Sequence, residues 1–245
     1  MALHELNIIL LDKKLPFYEF SIDGEIAEHV VKVLRLEVGS EMDVGVQNGP
    51  KGKAKLLEKS KCSLRMSVNW NEDHPSDHFP VNLIVGLSRP QTCRKILDQA
   101  TSIGVREMHF FAAEKSENSY RKSRLWETEE WRDKIKKGAE QSFSTHIPSC
   151  KVWEGLSECL TGQPEQSCRV AMDNYEGKKN ICSMIWNKFD HFTLAVGPER
   201  GWSRTERDQL RNQGFTLLSM GSRVLRQETA VVASLSQVVG QFWSP

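Results

Sequence analysis

Phe192-Thr-Leu-Ala-Val-Gly-Pro-Glu-Arg-Gly201 is the stretch on which the reading of the fold turns. Phe192–Val196 has the makings of a buried strand, and it runs directly into two glycines set around a proline. Glycine lets backbone approach a ligand closely, and proline stiffens the turn. Ser203-Arg-Thr-Glu206 then has the spacing of a capping box, so a helix is expected at once, with Gly214 ending it. A glycine loop at the carboxyl end of a parallel strand is where open α/β sheets hold their ligands. Taken alone, such a loop is more often a plain tight turn.

Further along the chain the device repeats. Phe215–Leu218 reads as a strand and Ser219-Met-Gly221 as a loop. A helix follows from near Glu228, with Val231, Val232, Leu235, Val238, Val239 and Phe242 on one apolar face. Between loop and helix, Ser222-Arg-Val-Leu-Arg-Gln-Glu-Thr229 crowds Arg223 and Arg226 at a strand end. That is either a salt-bridged connection or a site for an anionic partner. Upstream, Val81–Leu87 reads as a strand. Thr92 can cap a helix that buries Ile96, Leu97, Ala100 and Ile103 and stops at Gly104. Glu107–Ala113 and Arg169–Met172 are further strands, and Thr128–Ser142 is a helix with Trp131, Ile135 and Ala139 in step. Strand–helix alternation from residue 81 onward predicts a parallel α/β sheet.

The first 70 residues have another style. Glu25–Leu36 reads as one short helix; Met42–Val46, Ala54–Leu57 and Ser63–Val68 read as strands around glycine turns, which suggests a compact barrel. Asn69–Pro80, rich in Asn, Asp, His and Pro, reads as a linker.

Composition narrows the class. With 245 residues, 39% hydrophobic and 27% charged, the chain can bury one large core or two smaller ones. No apolar run is long enough to cross a bilayer and Met1–Leu11 lacks a signal-peptide pattern, so the expected location is the cytoplasm. Six scattered cysteines form no C-x-x-C pair, so reduced, mostly buried thiols are expected rather than disulfides or zinc. His74 and His78 lie four apart in a Pro/Asp/Asn-rich stretch, a weak metal pattern, and no metal is expected. The net charge of +1 hides two basic stretches, Lys51–Arg65 and Lys115–Arg124. Each is either a solvated face or a phosphate-binding one. No dinucleotide, ATP, serine-hydrolase or zinc-protease motif is present.

Val196-Gly-Pro-Glu-Arg-Gly-Trp202, followed by Met220-Gly-Ser-Arg-Val-Leu-Arg-Gln-Glu-Thr-Ala230, resembles the paired motif "GPEGGF … LGxRILRxETA" of the RsmE family. Its members are 16S rRNA uridine-N3 methyltransferases of the SPOUT superfamily. His29-Val-Val-Lys-Val-Leu-Arg-Leu-Glu-Val-Gly39 resembles that family's "H-x-x-x-VLR-x-x-x-G". Leu87-Ser-Arg-Pro90, Gly104-Val105, Glu117–Tyr120 and Glu140-Gln-Ser142 fall in the family's order between them.

The resemblance implies an α/β protein: a PUA-like β-barrel over residues 1–70, a linker over 71–80, and a SPOUT domain over 81–245 with a C-terminal trefoil knot, a topology that general folding rules would exclude. It implies S-adenosyl-L-methionine (SAM) held by Val196, Gly197, Pro198, Glu199, Gly201, Met220, Gly221, Leu225, Arg226 and Thr229. The implied substrate is 16S rRNA of the small ribosomal subunit, and the implied assembly is a homodimer. Uracil N3 must lose its proton, and the imidate so formed needs donors. Arg226 is the first candidate and Arg223 the second, with Glu199 as base or as the group orienting a loop amide. Arg35, Lys51, Lys53 and Arg200 are the candidates for RNA contact. Arg200 stands where the family usually has glycine, Trp202 for phenylalanine, Met220 for leucine, and Ser102-Ile103 for the common Glu-Leu. Two alternatives remain: another SPOUT RNA methyltransferase activity, on a different base or on tRNA, or, from Arg200 and Ser102, a weakly catalytic RNA-binding or assembly protein.

Overall fold

The computed structural model describes residues 7–73, 77–164, 166–184 and 190–243. Two compact units emerge, one of residues 1–77 with 139–147 and one of residues 78–138 with 148–245. The segment Ala139–Ile147, which the sequence places with the second domain, belongs to the first unit. The reason is apolar contact: Ala139, Phe143 and Ile147 pack with Ile8 and Leu10.

The first unit is a curled five-stranded sheet in the order β1-β3-β4-β5-β2. Its strands are β1 (Ile9–Leu11), β2 (Phe17–Ser21), β3 (Glu41–Val46), β4 (Lys51–Lys59) and β5 (Ser63–Trp70). β1 runs parallel to β3, and the other pairs are antiparallel. Along β4, Gly52, Ala54 and Leu56 point inward while Lys53 and Lys55 point out, the period-two pattern of a half-buried strand. A register shift between Leu56 and Glu58 bends it. The expected helix over Glu25–Leu36 is shorter. α1 (Glu25–Glu28) passes into a π-helical turn over His29–Val33, and Arg35 takes φ +50°, which no continuing helix allows.

The second unit is a seven-stranded, wholly parallel sheet in the order β10-β12-β9-β11-β6-β7-β8. Its elements are β6 (Val81–Gly86), α2 (Pro90–Ile103), β7 (Glu107–Phe111), α3 (Arg124–Glu127), α4 (Glu130–Gln141), β8 (Ser149–Trp153), α5 (Leu156–Thr161), β9 (Cys168–Met172), β10 (Lys179–Asn180), β11 (Phe192–Val196), α6 (Arg204–Asn212), β12 (Thr216–Ser219) and α7 (Gln227–Val239). β6 and β11 are buried at every residue, as central parallel strands covered on both faces must be. Thr92 does not cap α2. The helix starts three residues earlier with Pro90 in its first turn, where a missing N–H costs nothing, and the cap position is Arg89. Gly104 ends it at φ +94°. Ile103 is only partly buried, unlike Ile96, Leu97 and Ala100.

On α7, Val231, Leu235, Val238 and Val239 are buried, whereas Val232 is only partly covered and Phe242 lies in a 3-10 turn beyond the helix. Among the described residues no helix is long and apolar enough to cross a membrane, and no cluster of three potential metal ligands occurs. His74 lies outside the described residues. Cys93, Cys159 and Cys168 are buried, Cys150 is partly covered, and Cys62 and Cys182 are exposed. Burial pushes the Cys168 thiol up to about 11 and that of Cys159 up to about 12, so both stay protonated.

Candidate functional site

Three neighbouring strands of the parallel sheet, β12, β9 and β11, bring their carboxyl ends together. The segments that leave them enclose a cleft of about 150 Å3. Met172–Tyr175 follow β9, Val196–Trp202 follow β11, and Met220, Val224, Leu225, Gln227 and Ala230 come from the connection to α7 and its first turn. The chain crosses from β11 over β9 to β12 through α6, which leaves a crevice at this edge, the place where doubly wound sheets take ligands.

Trp202 makes the floor. It is fully buried, stacks on Phe111 with centroids 5.8 Å apart, and donates its Nε1–H to the Met172 carbonyl at 2.8 Å. A Cβ on Gly197 would lie 3.1 Å from the Trp202 ring, so glycine there lets the loop settle on the indole. Gly201 turns back at φ +68° and its amide donates to the Pro198 carbonyl at 2.8 Å. The capping box then forms as expected: Ser203 Oγ accepts from the Glu206 amide at 3.0 Å, and Glu206 Oε2 from the Ser203 amide at 2.8 Å. Glu206 Oε1 also accepts from the Glu114 amide, so this carboxylate fixes a second loop.

Asp173 and Arg207 form a nearly buried ion pair at the end of β9. Burial alone would raise the Asp173 carboxyl. The Arg207 hydrogen bond and charge and the Tyr175 and Glu176 amides outweigh it and hold the group below the ordinary carboxylate range.

Gln227 ties the cleft to its neighbours. Its Nε2 donates to the carbonyls of Gly86 and Gly197, each at 2.7 Å, joining the ends of β6 and β11 to the start of α7. Its Oε1 is buried, lies in a residue that lines the cleft, and has no hydrogen-bond partner among the described residues. A buried acceptor without a donor is costly, and a ligand N–H would relieve it. Gly86 is equally constrained: a Cβ there would lie 2.6 Å from the Pro198 nitrogen.

The candidates from the sequence divide by place. Val196, Gly197, Pro198, Glu199, Arg200, Gly201, Met220 and Leu225 all line the cleft. Arg226 is exposed at the cap position of α7 and lines an adjoining, wider cleft of about 550 Å3 that shares Glu199, Val224, Leu225 and Gln227. Glu199 lies 3.9 Å from Arg89 across a third, smaller hollow that also holds Tyr120 and Arg200. Arg223, Gly221 and Thr229 are exposed, and Asn174 Nδ2 reaches the Arg223 carbonyl at 3.4 Å. In the first unit Arg35 is exposed, while Lys51 pairs with Asp77 at 3.0 Å and Lys53 with Asp43 at 2.7 Å. Gly86, Asp173 and Tyr175 are the residues that sequence reasoning missed as parts of the site, while Trp202 and Gln227 lay in the quoted motifs without a role assigned to them. The neutral side chain of Gln227 drew less notice than the flanking charges.

A family model described as an RNA methyltransferase domain matches residues 75–239. The Ribosomal RNA small subunit methyltransferase E of Treponema pallidum is 30% identical over 219 residues, covering 86% of this chain and 81% of its own. The protein of the same name from Bacillus subtilis is 26% identical over 231 residues, covering 89% of each chain. The crystal structure of a Ribosomal RNA small subunit methyltransferase E from Neisseria gonorrhoeae, bound to S-adenosyl methionine, has a TM-score of 0.81 at 22% identity and covers 97% of this chain and 98% of that one, which shows a shared fold. A match that spans the strand-end loops of the cleft, together with relatives aligned over most of their length, places this chain in the RNA methyltransferase family, with the ribosomal RNA small subunit methyltransferase E proteins.

Proposed function

We propose that the chain transfers the methyl group of SAM to N3 of a uridine in the 16S RNA of the small ribosomal subunit. The observation that carries this reading is the convergence of three strand-end segments on one cleft that holds an unpartnered buried acceptor, Gln227 Oε1. The first cleft alone is below the usual size of a small-molecule pocket, and the adjoining one brings the pair within that range. The lining suits a purine nucleoside bearing a charged tail: backbone at Val196, Gly197 and Met220, an apolar edge at Leu225 and Val224, and polar groups at Gln227 and Asp173. SAM, when bound, supplies an electrophilic methyl group.

The chain's own residues do the rest. Gln227 Oε1 accepts from a ligand amino group, and the loop backbone around Gly197 orients it. Uracil enters from the side of Glu199, Arg200 and Arg226. Its N3 proton passes to solvent water, and the negative charge left on the ring is offset by the Arg226 guanidinium on the rim. The new N3–CH3 bond replaces the S–CH3 bond, whose electron pair stays on the departing sulfur. Glu199, facing Arg89, fits better as a group that holds the loop than as the base. Arg226→Ala should lower methyl transfer to small-subunit RNA by about 100-fold. The readout is N3-methyluridine by mass spectrometry, and wild-type turnover in that variant would overturn the role of Arg226.

The finer architecture belongs to the same proposal. Gln227 ties the start of α7 to the β6 and β11 ends, which is in keeping with a trefoil knot, and the curled sheet of the first unit supports a PUA-like barrel that offers Arg35 to RNA. We place the enzyme in the cytoplasm. Its assembly as a homodimer rests on the resemblance alone, because α7 spends most of its apolar face inside its own unit.

A further inference from the structure

Among the described residues three buried side-chain polar atoms lack a hydrogen-bond partner. One is Gln227 Oε1 at the cleft. The other two, Ser123 Oγ and Trp126 Nε1, sit together at the start of α3, in a part of the second unit that the cleft does not use.

Trp126 packs against Phe110 with ring centroids 4.9 Å apart and lines a separate cavity of about 350 Å3. Trp131 of α4 and the edge strand β8, through Cys150, Lys151 and Val152, add further walls, and Arg121 and Glu127 complete it. That volume falls in the range of small-ligand sites. Its cations are exposed: Arg121, which pairs with the still more exposed Glu154, and Lys151, which lies 3.5 Å from the Trp153 ring centroid. Arg132, 4.5 Å from the Trp131 ring, adds a third beside the cavity. Lys122 and Arg124 lie exposed in the same stretch. Arg121, Lys122 and Arg124 belong to the second basic stretch of the sequence, whose first member, Lys115, donates instead to the Trp202 carbonyl at the cleft, so methyl transfer there leaves these three without a task.

We infer that this cavity is a second RNA subsite, which takes one unstacked nucleotide of the substrate strand, with its base against Trp126 and Trp131 and its phosphate against Arg121 and Lys151. Three features select a nucleotide. Indole faces stack on any base, guanidinium and ammonium groups neutralise the phosphate, and the orphaned Trp126 N–H meets a base carbonyl or phosphate oxygen. Position agrees with this. Tyr120 lines the hollow beside Glu199 while Arg121, the next residue, lines the tryptophan cavity, so one short segment borders both. β8 stands three strands from β11, roughly 14 Å away at ordinary strand spacing, a span of a few nucleotides.

The inference rests on the RNA methyltransferase reading, and the test separates the two. Binding of single-stranded small-subunit RNA is measured for the full chain and for Lys151→Glu, Trp131→Ala and Trp126→Phe, with SAM affinity followed by calorimetry. Trp126→Phe keeps an aromatic ring while removing the N–H and one of the two fused rings, so it is the mildest of the three and guards against a variant that fails to fold. The first two should bind RNA about tenfold more weakly and the third about fivefold, with KM for RNA raised, kcat held and SAM affinity unchanged. If the wild type methylates RNA and all three variants bind it as tightly as the wild type, the subsite is wrong and the methyltransferase reading stands. If these variants lose affinity only for free uridine monophosphate, the cavity serves a free nucleotide and the inference is overturned. If the wild type neither binds nor methylates RNA, both readings fall.

Discussion

The two loops that face each other across the cleft are built in opposite ways. Val196–Trp202 is set rigidly: Trp202 is buried beneath it, the capping box closes its far end, Gly86 admits it where a side chain would collide, and Gly197 lets it lie tight against the indole. Gly221–Val224 carries none of this. All four residues are exposed, and Val224, an apolar side chain on the cleft wall, is 85% exposed. One side of the site therefore exists before a ligand arrives, while the other has apolar surface left to bury. The tie between them is Gln227, whose single amide group reaches both the rigid loop and the strand beside it.

The strongest way to break the rigid side is at Asp173. Asp173→Asn leaves the nearly buried Arg207 with only the more exposed Glu176, 3.6 Å away, as its counter-ion, which should cost about 3 kcal/mol at neutral pH. Chemical denaturation of both proteins measures it. The same pair sets an acid limit. The Asp173 carboxyl is depressed in the folded chain, so its contribution is complete above the unfolded value of about 3.9 and is lost as pH falls through the lower folded value. The gap between wild type and Asp173→Asn should therefore shrink across that acid window and nowhere else. A gap that stays constant down to the lowest pH would remove the pair from the argument.

Next in size is the tie. Gln227→Ala strips the donor from two carbonyls, Gly86 and Gly197, and should destabilise the unit by about 2 kcal/mol, a Tm lower by roughly 4–8 °C. SAM affinity should fall further than stability, since the orphaned acceptor goes with it. Equal losses of the two would mean that Gln227 only braces the fold.

These two residues mark the limit of what could be read beforehand. The capping box of α6 was legible because it is a four-residue pattern whose partners are its own neighbours. β11 and β6 were legible because buried parallel strands are continuous apolar runs. The start of α2 was misplaced because Thr92 has the side chain of a cap, while the fixed φ of Pro90 decided the matter two residues earlier. β1, β2 and β8 are short strands whose pairing partners lie elsewhere in the chain, and no local period announces them. Gln227 and Gly86 owe their roles to each other across 141 positions, and Asp173 owes its own to Arg207 across 34. No spacing rule reaches that far. Eight candidate residues were found on the cleft because the motif that carries them also forms its walls.

The smallest expected effect sharpens the comparison most. Val224→Ser changes a side chain that the folded chain barely covers, so stability should stay within about 0.5 kcal/mol of wild type. If the second loop closes over a bound ligand, Val224 is buried only in the complex. Losing part of a valine's burial then removes about 1 kcal/mol from binding alone, close to a fivefold weaker SAM affinity. The two loops thus predict different signatures. A substitution in the rigid loop should lower Tm and SAM affinity together, whereas Val224→Ser should lower affinity with Tm unchanged. Calorimetric titration beside a melting curve reads both. Unchanged affinity in Val224→Ser would show that the loop stays open over its ligand, and the cover would then have to come from elsewhere on the cleft wall, with Tyr175, 81% exposed beside Gly201, as the next side chain to test.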